Sequence, residues 1–274
     1  MIGGMSEPAL SVPAAVREAF GLDGDGVALP GGEGVTVRIG DVVLKQVHDP
    51  DEAEWTSDLQ SRMARDGFRL ARPVPTLAGR WTHESWSATQ FIPGLRPVAP
   101  AWHVVTAIGL RFSDAAELAR DGQTGPLAAR THRWAVADRA AWDEVGVDLV
   151  PEATEVYVGL GALLGDPPTD RQLVHGDLTG NVHRDATDVP VVLHFSPYLR
   201  PREWAAAIVV ADAALWHGAE PWLAASFAMT DSGRDLLGRA LGFRLVAEQL
   251  AAEARHGAHL EPYRRVLSTV VSAP

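Results

Sequence analysis

His175-Gly176-Asp177-Leu178-Thr179-Gly180-Asn181 is the stretch that decides how this chain is read. It follows a short apolar run, Leu173-Val174, and precedes a second one, Val191-Val192-Leu193. A carboxylate and an amide thus share one tight loop between two strand-like segments. Phosphoryl transfer asks for such a pair: a carboxylate to orient an attacking hydroxyl and take its proton, and an amide to help hold the phosphates' counter-charge. A plain turn, in which Asp and Asn bond their own backbone, would look the same in isolation.

Upstream, Pro30-Gly31-Gly32-Glu33-Gly34 comes shortly before Val43-Leu44-Lys45. Glycines let backbone amides approach phosphate oxygens, and a lysine on the next strand can reach them as a point charge. Lys45 is the single lysine among 24 Lys and Arg residues. A position that stays Lys in an Arg-rich chain suggests a need for a compact ammonium rather than a planar guanidinium.

The pattern around these motifs predicts an α+β chain in two lobes. Residues 27–47 read as two strands joined at Gly40-Asp41, residues 51–65 as a helix, and Trp81 and residues 85–92 as further strands ending at Pro93-Gly94. Beyond residue 101 apolar positions recur every three or four residues. Helices are predicted over 102–120, 127–145, 153–164, 202–217, 221–229, 233–255 and 262–271, interrupted by a strand-loop-strand insert at 172–197. The expected division is a β-rich lobe, 1–92, and a helical lobe, 93–274, with a cleft at the hinge.

Composition narrows the function classes. The chain has 274 residues, 46% hydrophobic and 22% charged, which suits a folded globular protein. Its net charge of -11 argues against nucleic-acid binding, which needs clustered cations. The absence of cysteine removes disulfides, thiolate metal sites and a cysteine nucleophile. No apolar run long enough to span a membrane and no signal-like start is seen, so a cytoplasmic location without membrane partners is expected. The spacing of His175, His183 and His194 matches no common zinc pattern. Trp55, Trp102, Trp134, Trp142, Trp204 and Trp216 stand at helical spacing beside apolar residues and are expected in the core.

Taken together, the loop, the glycines and the lysine resemble the protein-kinase-like superfamily, and specifically the aminoglycoside phosphotransferases. A subgroup of these carries the same short loop, H-G-D-L-T-G-N, followed by D-F-S-P-Y. The resemblance implies a two-lobed kinase-like fold and transfer of the γ-phosphoryl group of ATP to a hydroxyl of a small molecule. It implies Asp177 as catalytic base, Asn181 as a metal ligand, and Gly31, Gly32, Gly34 and Lys45 on the phosphates. Glu54, rather than Glu52 on the same helix, would position Lys45, and Gln90, Phe91 and Ile92 would meet adenine. The usual pattern has one more residue between the Asp and the Asn. A second departure is chemical: His194-Phe195-Ser196-Pro197-Tyr198 puts histidine where the resemblance expects a metal-binding aspartate. Imidazole suits manganese better than magnesium. Either magnesium-dependent turnover is impaired and the protein is a nucleotide-binding pseudokinase, or another metal serves, or Asp185, Asp188 or Asp212 compensates.

Overall fold

The computed structural model describes residues 12–29, 36–166, 168–251 and 259–272. Its first part is a five-stranded antiparallel sheet. The strands are β1 (Val27–Ala28), β2 (Thr36–Ile39), β3 (Val42–Gln46), β5 (Thr82–His83) and β6 (Trp86–Gln90), in the order β1-β2-β3-β6-β5. Gly40, at φ +57°, closes the two-residue β2–β3 turn, a conformation that glycine adopts at little cost. Successive side chains alternate between the faces of a strand. Val37, Ile39, Leu44, Trp86 and Ala88 therefore gather on one face, where Val12, Val16 and Phe20 cover them from α1 (Ala14–Ala19) and the residues beside it. Lys45 follows Leu44 and points to the opposite face, paired in register with Thr36 and Ser87.

Helix α2 (Pro50–Arg62) begins at Asp49, whose side chain accepts the backbone N–H groups of Asp51 and Glu52, with Pro50 preset for the first turn. Its Leu59 pack into the second, larger core, as does Met63 just beyond it. Two short strands flank the predicted hinge, and both join the other part of the molecule. Strand β4 (Arg69–Leu70) pairs in parallel with β10 (Pro190–Val192), and β7 (Arg96–Pro97) pairs with β9 (Val182–Arg184), giving a sheet ordered β4-β10-β9-β7. Strand β8 (Gln172–His175) pairs with β11 (Pro197–Arg200). The insert thus contains two separate pairings rather than the single strand-loop-strand expected.

The remainder is helical: α3 (Trp102–Arg120), a 3₁₀ turn at Leu127–Ala129, α4 (Arg133–Ala141), α5 (Pro151–Gly161), α6 (Trp204–Trp216), α7 (Pro221–Phe227), α8 (Asp231–Leu250) and α9 (Leu260–Val271). The helix predicted over 127–145 is divided in two, and it stops before Asp143, which has φ +58°. Helix α6 is buried on every side, as its nearly continuous apolar sequence requires. Trp102, Trp142 and Trp204 are core residues, whereas Trp216 is exposed, contrary to expectation. Four buried arginines, Arg130, Arg200, Arg239 and Arg244, are each paired with carboxylates: Glu52; Asp138 and Glu144; Asp235 and Asp143; and Asp212. Planar forks with several donors suit such pairs better than a lysine ammonium does. Among the described residues, no helix is long and apolar enough to cross a membrane.

Candidate active site

The loop between β8 and β9 is held from behind by His175. The His175 ring is fully buried. Its Nδ1 accepts the backbone N–H of Asp177 at 3.0 Å, and Nε2 donates to the carbonyl of His194. That pair of bonds fixes the tautomer, and burial lowers the pKa to about 4, so the ring is neutral. One imidazole therefore joins the Asp177 loop to the His194 segment. Both of its nitrogens are engaged by the backbone, which sets aside His175 as a zinc ligand.

The second residue of the motif is a glycine for a reason of space. A Cβ on Gly176 would lie 2.2 Å from the Tyr198 ring, closer than real contacts allow. Tyr198 is buried, stacked near the Arg130 guanidinium and edge-on to Phe243. Two motifs read separately in the sequence, H-G-D and S-P-Y, are thus packed on each other, and the Gly176 N–H donates to the Ser196 carbonyl at 2.9 Å.

The Asp177 carboxylate stands half-exposed at the mouth of this loop. Asn181 Nδ2 donates to Asp177 Oδ2 at 3.0 Å and to the Asp177 backbone carbonyl at 2.7 Å. On the other side Arg244 Nη2 approaches Oδ1 at 3.8 Å. Arg244 is buried and binds Asp212 through two bonds of 2.6 Å. Burial raises the Asp177 pKa, the Arg244 charge opposes that, Asp212 adds to it, and Lys45 and the Asn181 bond lower it. Arg244 and Asp212 come from α8 and α6, far from the loop in sequence. No local motif announced them, although a carboxylate inside the apolar run of α6 was a visible anomaly.

Lys45 acts electrostatically on both Asp177 and His194, so the strand lysine, the loop carboxylate and the substituted histidine share one neighbourhood. Gly31, Gly32 and Gly34 lie outside the described residues. The role expected of Glu54 is not what the structure supports. Its Oε2 accepts the N–H groups of Trp81 and Thr82 and the Thr82 hydroxyl, and Oε1 pairs with Arg80 at 3.0 Å. It therefore fastens α2 to β5. The other glutamate of this helix, Glu52, pairs with buried Arg130, which also donates to the Pro197 carbonyl. The direction in which a helical side chain leaves its helix decided this.

At the hinge, the expected donors are partly committed. The Gln90 N–H donates to Arg72 at 2.7 Å and the Phe91 N–H to Asp41 at 2.8 Å, while Arg38 lies over the Phe91 ring.

The donor set fits a divalent ion poorly. His194 is half-buried, and burial, the charge of Lys45 and His175 hold its pKa well below the ordinary value, so it is neutral. Its Nε2 shares a 2.9 Å hydrogen bond with the Ser196 hydroxyl. Asn181 directs its N–H groups to Asp177, and its amide oxygen, the atom a hard ion would take, is not used in those bonds. The three neighbouring aspartates each have other partners. Asp185 closes its own turn on Thr187 and Val189 and pairs with Arg69, Asp188 pairs with Arg184 and Arg96, and Asp212 holds Arg244. Among the described residues, no group of three or more His, Asp or Glu converges as a metal site.

The α+β architecture, a small antiparallel sheet and a larger helical part, has the fold of a solved aminoglycoside phosphotransferase. The crystal structure of aminoglycoside phosphotransferase APH(4)-Ia superposes with a TM-score of 0.56 at 16% identity, over 93% of this chain and 97% of that one. A thermostable mutant of that enzyme, in ternary complex with ADP and hygromycin B, gives 0.57 at 15% identity with the same coverage. Another ternary complex of a mutant, with AMP-PNP and hygromycin B, gives 0.53 at 15% identity, over 94% and 98%. At such identities the likeness is one of fold. No protein-family model matches the sequence, and no curated protein matches it.

Proposed function

We propose that this chain binds ATP in the cleft between its sheet and its helical part and transfers the γ-phosphoryl group to a hydroxyl of a small molecule. The observation that carries this reading is that Lys45, from the β2–β3 hairpin, lies near enough to Asp177, from the β8–β9 loop, for its charge to lower that carboxyl's pKa. Phosphoryl transfer is mainly a matter of positioning and of countering charge, and those two groups are the minimum it requires. Lys45 faces the phosphates. Asp177 accepts the proton of the attacking hydroxyl. Asn181 and Arg244, bracketing its two oxygens, keep the carboxylate aimed. A similarly folded enzyme forms ternary complexes with ADP or AMP-PNP and hygromycin B, which supports a nucleotide bound together with a second small molecule on this fold. No step is assigned to a metal ion.

His194 favours a second reading, a protein that binds the nucleotide but turns it over slowly. The two are separated by incubating the protein with ATP and a panel of amino sugars, amino alcohols and sugars, with products followed by mass spectrometry. The phosphotransferase reading expects a phosphorylated product that Asp177→Asn does not form. A product formed equally fast by Asp177→Asn would refute the role of Asp177.

A further inference from the structure

We infer that Glu52 and Arg130 are positioning residues for phosphoryl transfer, their ion pair tying the first turn of α2 to the segment that sets the place of Asp177. The effect on turnover rests on the phosphotransferase reading above; the coupling of α2 to the loop rests on geometry.

Arg130 stands between α2 and the catalytic loop. Its Nε pairs with Glu52 Oε2 at 3.0 Å, and its Nη1 donates to the Pro197 carbonyl. The guanidinium carbon lies 5.0 Å from the centre of the Tyr198 ring, and that ring packs against Gly176, the residue before Asp177. Pro197 and Tyr198 open β11 and pair in register with His175 and Val174 of β8, the strand that leads into the Asp177 loop. These contacts lead from the helix that follows the Lys45 strand to the backbone that carries Asp177. The Arg130 and Glu52 side chains are only 7% and 16% exposed, so water screens the pair little and losing one partner strands the other. The Arg130 fork reaches a carboxylate and a carbonyl at once, which a single ammonium on a flexible stem does not reproduce. Glu54, on the same helix, leads instead to Arg80, Trp81 and Thr82. A small displacement of the group that receives the hydroxyl proton costs rate, so loosening this pair lowers turnover more than ATP affinity.

The test is residue-resolved amide hydrogen exchange by NMR on the full chain, for the wild type, Glu52→Ala, Arg130→Lys and Glu54→Ala. The Gly176 N–H is bonded to the Ser196 carbonyl, and the Trp81 and Thr82 N–H groups to Glu54. Glu52→Ala and Arg130→Lys are expected to speed exchange at Gly176 about tenfold and at Trp81 and Thr82 by no more than about twofold, with the reverse in Glu54→Ala. With ATP and the acceptor panel above, the first two variants should form product about tenfold more slowly than the wild type while calorimetry finds ATP affinity within about threefold. Two variants at the pair keep the test decisive if one fails to fold. Unchanged exchange at Gly176, or equal acceleration at both sets of amides, would overturn the coupling. Turnover lowered no more than ATP affinity would overturn the positioning role. Exchange coupled as expected, with no product from the wild type under any condition, would instead refute the phosphotransferase reading.

Discussion

Lowering the pH from 7 to 4 should destabilise the fold, and His175 contributes a defined part of the effect. Its folded pKa is about 4 against an ordinary value of 6.5. Between those values the unfolded chain binds a proton that the folded one refuses, so stability rises with pH across that window. Integrating the difference gives a loss of about 2 kcal/mol between pH 7 and 5, and about 3 kcal/mol by pH 4. For a chain of this size, about 2 kcal/mol corresponds to a melting temperature lower by roughly 4 °C. His194, also depressed, acts in the same direction. The carboxyls of Glu52, Asp138, Asp177 and Glu248, shifted upward chiefly by burial, oppose it toward the acid end. The assay is urea unfolding at pH 7 and pH 5 for the wild type and His175→Gln. The variant, less stable at pH 7, should lose about 2 kcal/mol less on acidification. Parallel losses in the two proteins would refute the account of His175 as a buried neutral link.

Gly176→Ala drives a methyl into the Tyr198 ring and should cost about 1–3 kcal/mol of unfolding free energy, with non-additivity when combined with Tyr198→Ala, where the ring is gone. Arg244→Met strands the buried Asp212 carboxylate and should cost about 3–5 kcal/mol, whereas Arg244→Met with Asp212→Leu should regain much of it, both read by chemical unfolding. Glu54→Gln weakens the link between α2 and β5 by about 1–2 kcal/mol, and because that glutamate is fastened to Arg80, Trp81 and Thr82, calorimetry should find ATP affinity within about threefold of the wild type.

Features carried by short contiguous patterns were legible in the sequence. The Asp177 loop, the β2–β3 hairpin with its Gly40-Asp41 turn and the outward Lys45 all follow from turn residues and a period of two, and the long helices from apolar spacing. What escaped depends on contacts between distant segments. Strands β4 and β7 have two residues each, too few to show a period, yet they join the sheet of β9 and β10. The pairing of β8 with β11 is a choice among equally apolar partners. Glu52 and Glu54 look alike in sequence, and only the side-chain directions on α2 send one to Arg130 and the other to Arg80. Arg244 reaches Asp177 because α6 and α8 pack behind the loop, which no local reading reveals.

The most direct test of the central claim is equilibrium binding of ATP to the wild type and to Lys45→Ala, measured by calorimetry after both proteins are shown to be folded. If the cleft is a nucleotide site organised around Lys45 and Asp177, the wild type binds ATP and the variant binds it at least about tenfold more weakly. Equal affinity in the two proteins, or no binding by the folded wild type, would contradict it.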